Sequence, residues 1–279
     1  MTHTDDFDRL LSHIESRYGF ATSYYADRYL RRRIRSRLSR NGLERDAYSS
    51  YLSLLEDDDG AEQTALLDTL SVNVTSFFRD TSVWDELRGV LETLQERRDR
   101  SLSAWSVPCS DGREPYSLAM LARESAGISS HRLSIRASDI DENALERARN
   151  GVYEQQRTSN LETELSYLDA YRSYLDCPDD RDDDDDVESY RVGSSIKRMV
   201  DFDRFDLITD SIGSTYDLVL CRNFFIYVDD RHHRTVLEKL ADAIRPGGYL
   251  VIGKSESLTR NIENAFEPAD RASRIYRRQ

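Results

Sequence analysis

The chain has 279 residues, 38% hydrophobic and 33% charged, with a formal net charge of −13. That length holds one large domain or two smaller ones with an ample core, and the negative balance argues against general nucleic-acid binding. No apolar run approaches the ~20 residues needed to cross a bilayer, and the polar, acidic start MTHTDDFDRL is unlike a secretory signal, so a cytoplasmic protein without membrane insertion is expected.

Residues 1 to about 80 read as all-helical. Phe7, Leu10, Leu11 and Ile14 recur at helical spacing, as do Leu30, Ile34 and Leu38, and Tyr48, Tyr51, Leu52 and Leu55. Asn41-Gly42 is a helix stop, and Asp57-Asp58-Asp59-Gly60 is a turn before a helix reaching about Leu70. Residues 28–40, RYLRRRIRSRLSR, hold seven arginines around one apolar stripe. This cationic surface suits an acidic protein partner or nucleic acid, or is a solvated face paired with local carboxylates.

At the junction, SVNVTSFFRD (71–80) places Asn73, Thr75 and Arg79 among apolar residues, where domain interfaces favour ligand sites. The alternative is a capped helix, with Thr75 as cap, Phe77 and Phe78 in the core and Arg79 on the surface.

From about Val83 the pattern alternates. A helix around Trp84–Glu96 leads to a strand at Ser103–Val107 and a helix at Pro115–Arg123. A strand at Leu133–Ala137 and a helix at Glu142–Arg149 follow. A strand at Asp217–Cys221, a helix at Asp230–Ile244, and strands at Tyr249–Gly253 and Arg274–Arg278 complete the series. Strands alternating with helices predict a parallel sheet with right-handed crossovers. Residues 155–202 break the alternation. They contain CPDDRDDDDDVESY, whose aspartates form a solvated loop at 179–186, with Ser189–Gly193 and Ser195–Val200 as short flanking strands of an inserted β-subdomain.

Within this α/β part, AWSVPCSDGREPYSLAML (104–121) reads as strand, tight loop and helix start. Asp111-Gly112 marks the turn and Pro115 falls in the first helical turn. Glu114 is either a capping residue or a carboxylate at the crevice where open α/β sheets bind ligands. Asp139 ends the second strand, where an acid accepts both hydroxyls of a ribose; its spacing from the loop exceeds the ~20 residues of the dinucleotide fingerprint. Asp141 can cap the next helix, which frees Asp139 for a ligand. Arg222-Asn223 ends the next strand, a pair costly to bury unless used, and Tyr227 follows on the same rim.

Cys109, Cys177 and Cys221 lack C-x-x-C spacing, and the five histidines lack ligand spacing; His232 and His233 are neighbours on a predicted helix and do not share a face. No metal or disulfide framework is expected.

In order along the chain, NVTSFFRD resembles the N-x-T-x-F-F-R block, and WSVPCSDGREPYS the W-S-x-x-x-S-x-G-E-E-P-Y-S loop, of the CheR family of chemotaxis receptor glutamate methyltransferases. ASDIDENALERARNGVY, LCRNFFIYV and RPGGYLVIGKSESL match that family's later blocks. The resemblance covers nearly the whole chain. It implies a helical N-terminal domain (1–80), a Rossmann-like class I methyltransferase domain of α/β class (81–279) and the small β-subdomain within it. It also implies S-adenosylmethionine as methyl donor and a receptor glutamate as acceptor. By the resemblance, Asn73, Thr75, Arg79, Glu114, Asp139, Asp206, Leu207, Arg222 and Asn223 contact the cofactor. Asp206 and Leu207 stand where the family has an Asn-Leu pair beside the adenine, and Arg79 and Tyr227 position the reacting groups. The arginine helix 28–40 is then the expected contact for the receptor's cytoplasmic helices.

Two departures stand out. Arg113 replaces the first Glu of G-E-E-P, and the Asp-rich loop alters the β-subdomain that docks a receptor tail peptide in some members. Other readings are a methyltransferase of the same fold with a small-acid or nucleic-acid acceptor, and a non-catalytic adaptor. The strand end CRNFFIY lacks the Asn/Asp-Pro-Pro-aromatic motif common in nucleobase methylation, and retention of Glu114, Asp139, Arg79 and Tyr227 argues against an inactive adaptor. Finally, only Lys197, Lys239 and Lys254 are lysines among 39 basic residues. An Asp-rich, Lys-poor surface is expected of a protein working in concentrated salt.

Overall fold

The computed structural model describes residues 3–71, 75–97, 101–155, 160–176, 189–259 and 262–279. The chain divides into two compact units, Met1–Val72 with Phe225–His233, and Asn73–Phe224 with Arg234–Gln279.

The first unit contains α1 (His3–Tyr18), α2 (Asp27–Arg40), α3 (Tyr48–Asp57) and α4 (Ala61–Leu70). Phe7, Leu10 and Ile14 of α1, Leu30, Ile34 and Leu38 of α2, and Tyr48, Tyr51 and Leu55 of α3 are buried. Each set is one apolar stripe turned inward, and α1 packs on α3 and α2 on α4. Helix α2 stops at Asn41, followed by Gly42 at φ +69°. Asp58 closes the next turn, its Oδ2 accepting from the N–H groups of Gly60, Glu62 and Gln63 at 2.9, 2.7 and 3.2 Å.

The seven arginines separate into roles. Arg35 pairs with Asp46 at 2.8 Å, Arg37 pairs with Glu62, which also accepts from the Tyr51 hydroxyl, and Arg31 lies 3.7 Å over the Phe7 ring. Arg33 lies 5.5 Å from the Tyr29 ring centroid, and Arg28, Arg32 and Arg40 are exposed. The segment Phe225–His233 is held in this unit by main-chain pairing. Tyr25 and Val228 form an antiparallel bridge, Ala26 N–H donates to the Tyr227 carbonyl at 3.1 Å, and Asp229 N–H to that of Tyr24 at 2.8 Å.

The remaining elements are α5 (Thr81–Arg97), β1 (Leu102–Ser106), α6 (Arg113–Glu124), β2 (Leu133–Asp139), α7 (Glu142–Asn150), β3 (Val152–Glu154), α8 (Leu161–Leu165), β4 (Leu175–Asp176), β5 (Ser189–Val192), α9 (Ser194–Lys197), β6 (Val200–Arg204), β7 (Tyr216–Cys221), α10 (Asp230–Ala243), β8 (Ile244–Ile252), β9 (Phe266–Asp270) and β10 (Ile275–Arg278). Seven strands form one sheet in the order β6-β2-β1-β7-β8-β10-β9. The first five are parallel, and β10 runs antiparallel to both neighbours. All six residues of β7 are buried, as a central parallel strand covered on both faces requires. The strand order reverses between β1 and β7, the switch point at whose carboxyl edge open α/β sheets bind ligands.

A second, antiparallel sheet has the order β3-β5-β4. Tyr153, Leu161, Leu165, Val192 and Ile196 from this inserted region share one core with Tyr116, Met120 and Leu218 beside the main sheet. Two details differ from expectation. The segment expected as a strand at Ser195–Val200 is helix α9 followed by β6, which joins the main sheet beside β2; Asp201 and Asp203 hid the alternation of this edge strand. Strand β9 was missed because FEPAD carries a proline, tolerated on an edge. Residues 179–186 of the acidic loop lie outside the described residues. Among the described residues no helix is long and apolar enough to cross a membrane, and no group of three or more His, Cys, Asp or Glu could hold a metal ion. Cys109 and Cys221 are buried free thiols.

Candidate active site

The loop after β1 is anchored on both sides. Val107 N–H donates to the Leu220 carbonyl of β7 and Cys109 N–H to the Ser138 carbonyl of β2, each at 2.9 Å. Gly112 sits at φ +89°, and a Cβ there would lie 2.8 Å from the Ala148 Cβ of α7. Both its backbone conformation and its closeness to α7 require glycine.

Glu114, in the first turn of α6, turns its carboxylate to neighbours outside the helix. Oε1 accepts from the Ser106 hydroxyl at 2.8 Å and Oε2 from Arg222 Nη1 at 3.2 Å. Burial pushes its pKa up, opposed by the Arg222 charge, the Ser106 and Arg222 hydrogen bonds and the Arg79 charge. Asp139, at the end of β2, accepts from Ser110 N–H at 2.7 Å and Asp141 N–H at 3.0 Å. Asp141 caps α7, accepting from the N–H groups of Asn143 and Ala144, so Asp139 is free of that duty. Burial raises the Asp139 pKa to about 6, although N–H donors hold it down. The N–H groups of Ser110, Asp141 and Ile140 all hold the ionised form of this carboxylate.

Arg222, at the end of β7, is 1% exposed in its side chain. Besides Glu114 it donates from Nη2 to Asp80 Oδ2 and to the Arg79 carbonyl, both at 2.8 Å. Its guanidinium lies 5.8 Å from the Trp84 ring centroid. Phe78 and Asp80, either side of Arg79, have φ +47° and +60°, a conformation costing about 1–3 kcal/mol at each non-glycine residue. It is over-determined by its surroundings. Phe77 N–H donates to Glu164 at 2.9 Å and Phe78 N–H to the Ser117 hydroxyl at 3.0 Å, and the Arg79 carbonyl also accepts from Trp84 Nε1 at 3.0 Å.

Asn223, at φ +60°, donates its N–H to buried Glu256 at 3.0 Å, and Glu256 also accepts from Gly253 N–H at 2.6 Å. This ties the ends of β7 and β8 together. Asp206 and Leu207 are both buried. The Asp206 carboxylate is engaged by Ile208 N–H and the Thr209 hydroxyl, each at 2.8 Å, so its side chain closes its own turn. Lys239 Nζ binds the carbonyls of Leu207, Ile208 and Asp210 at 2.9, 3.0 and 2.6 Å; three donors converging from one nitrogen is ammonium geometry, unlike the planar fork of arginine.

The second unit therefore links Arg79, Glu114 and Arg222 in one network, with Asn223 next in the chain and bound to Glu256, and Asp139 at the end of β2, beside β1. Thr75 is tied instead to the start of α6, its carbonyl accepting from Arg113 at 3.0 Å. Tyr227 lies in the first unit, half-buried, its ring 5.1 Å from that of Tyr29. Asn73 lies outside the described residues. Asp80, Ser106, Glu164, Lys239 and Glu256 complete these networks and were missed. The signals were slight: Asp80 follows the arginine of FFRD, and Glu256 lies in the quoted block GKSES.

A mixed sheet with five parallel strands, and with two buried acids and an arginine at the strand ends about its switch point, marks an α/β protein of the Rossmann-like class. The sequence model described as "CheR methyltransferase, SAM binding domain" matches residues 73–275, and "CheR methyltransferase, all-alpha domain" matches residues 5–71. The chain belongs to the CheR methyltransferase family, whose cofactor is S-adenosylmethionine. It is 34% identical over 190 residues to a chemotaxis protein methyltransferase of Listeria monocytogenes, covering 68% of this chain and 67% of that one. It is 30% identical to that of Salmonella typhimurium, covering 92% and 85%, and 28% identical to that of Borreliella burgdorferi, covering 92% and 89%.

Proposed function

We propose that this chain transfers a methyl group from S-adenosylmethionine to glutamate side chains on the cytoplasmic helices of chemotaxis receptors, acting in the cytoplasm. The observation that carries the reading is the pairing of Glu114 with Arg222 across the switch point, with Asp139 on the next strand end. These residues fit the cofactor. Asp139 stands at the strand end where an acid accepts ribose hydroxyls, Glu114 is a partner for the cationic amino-acid portion, and Leu207 offers an apolar flank for the adenine. Thr75, Arg79, Asp206, Arg222, Asn223 and, by sequence, Asn73 border the same cofactor.

S-adenosylmethionine supplies a methyl group on a positively charged sulfur that is already a good leaving group. A glutamate carboxylate, with a reference pKa of ~4.3, is ionised at neutral pH and needs no general base. The chain's residues therefore align oxygen, methyl and sulfur in line and exclude water; such alignment alone is worth roughly 7–11 kcal/mol of barrier. Arg79 holds the acceptor carboxylate without a tight bidentate grip, which would quench its nucleophilicity, and Tyr227 orients the reacting groups through its hydroxyl. On α2, the exposed Arg28, Arg32 and Arg40 are the candidate contact for acidic receptor helices.

The test is incubation with methyl-labelled S-adenosylmethionine and receptor-containing membranes at high salt, followed by release of base-labile methanol. Methanol release supports the reading. Label in nucleic acid, or none in receptor, overturns it.

A further inference from the structure

Arg113 stands where the family motif has glutamate, and its surroundings give it work. Its Nη1 donates to the Thr75 carbonyl at 3.0 Å, its Nε lies 3.5 Å from Asp111 Oδ2, and its guanidinium is 5.2 Å from the Tyr153 ring centroid. Tyr153, on β3 of the small sheet, donates its hydroxyl to the Asp111 carbonyl at 2.6 Å and packs edge-on against Phe77, centroids 5.0 Å apart. From the same inserted region, Glu164 on α8 accepts from Phe77 N–H, and Tyr167 stacks on Phe78 at 4.7 Å. The two residues before Arg79 are thus gripped from the insertion side. A glutamate at 113 would offer no donor to the Thr75 carbonyl and no cation to the aromatic face.

We propose that Arg113 and Glu164 are positioning residues that hold the segment 75–80 in the conformation, left-handed at Phe78 and Asp80, that presents Arg79, and that the small inserted sheet with α8 supplies one jaw of that clamp. A segment with positive φ at Phe78 and Asp80 relaxes when its partners are removed, and Arg79 relaxes with it. Events on the inserted sheet thereby reach the reacting carboxylate through Phe77 and Phe78. The proposal rests on the reading of Arg79 as the residue that holds the acceptor.

The chain has two tryptophans, and both indole N–H groups report usefully. That of Trp84 donates to the Arg79 carbonyl, and that of Trp105 to the Ser138 hydroxyl, which is not among the clamp's partners, at 2.9 Å. In the full-length protein, Glu164→Ala and Arg113→Met are expected to move the Trp84 indole resonance in nitrogen–proton correlation spectra and leave that of Trp105 in place. They are expected to lower kcat at least about tenfold, as misplacement of a positioned group does, with the receptor KM and the affinity for S-adenosylhomocysteine within about twofold. Glu164→Gln, which keeps an acceptor for Phe77 N–H, is expected to restore kcat. An unmoved Trp84 signal with unchanged kcat overturns the clamp, as does movement of both tryptophans with parallel loss of all three constants and no rescue by Gln. Absence of receptor methylation by the unaltered protein overturns the functional reading instead, and the Trp84 signal then decides the clamp alone.

Discussion

Arg222 and Glu114 form a buried ion pair, Nη1 to Oε2 3.2 Å, that joins the carboxyl end of β7 to the first turn of the helix after β1. It spans the point where the strand order of the sheet reverses, and the second amino group of Arg222 fixes Asp80 and the Arg79 carbonyl. One guanidinium therefore sets three parts of the site. Its desolvation is offset only while every partner is present.

Arg222→Met is expected to destabilise the second unit by about 3–5 kcal/mol, because it leaves the Glu114 charge buried without its cation. Adding Glu114→Gln recovers part of that loss. Urea unfolding of the two single variants and the double variant measures the coupling; strict additivity would contradict the pairing.

Asp139 carries a pH dependence. Its folded-state pKa, about 6, lies above the ordinary value of 3.8, chiefly through burial. Its contribution to stability is therefore present below about pH 4 and is lost as pH rises through about 6, so the unliganded protein bears the cost of the buried charge at neutral pH. Hydroxyls bound to the carboxylate offset that cost. Affinity for S-adenosylhomocysteine is expected to fall by up to about tenfold per pH unit below pH 6, and the thermal stabilisation given by the ligand to shrink with it. Asp139→Asn removes this pH dependence along with most of the affinity. Calorimetric titration from pH 5 to 8 decides the matter.

Arg79→Ala and Tyr227→Phe are expected to reduce methyl transfer, by about a hundredfold for a misplaced reacting group. Full transfer with unchanged cofactor affinity in either variant would remove that residue from the mechanism.

Charge reversal at Arg28 and Arg32, both exposed on α2, is expected to raise the KM for receptor while leaving S-adenosylhomocysteine affinity unchanged. Arg37→Glu is expected to act differently, lowering the stability of the helical unit, because Arg37 is committed to Glu62.

A net charge of −13 with three lysines predicts that thermal stability rises from dilute buffer into molar salt, where the Debye length contracts to about 3 Å and carboxylate repulsion is screened. A melting temperature that peaks in dilute buffer would contradict the salt-adapted reading.

Much was legible from residue order alone. The helical stripes of α1–α3, the alternation of strands and helices, and the turns at Asn41-Gly42 and Asp111-Gly112 depend on contacts within a few residues. The ordered motifs marked Glu114, Asp139, Arg79 and Arg222 because each sits at the end of a regular element. The partners of these residues were not legible, since hydrogen bonds such as Arg222 to Asp80 and Phe77 to Glu164 join positions 142 and 87 residues apart. Period and local propensity carry no information at such separations. The same holds at short range for Asp206, whose carboxylate accepts from Ile208 N–H and the Thr209 hydroxyl, partners that its place in the motif did not announce. Residue order thus sufficed for most of the elements, the class of fold and the family, though not for α9, β6 or β9. Which buried charges meet, which residues adopt a left-handed backbone and which partners Arg113 finds emerge only in three dimensions, because those depend on how segments distant in the chain are brought side by side.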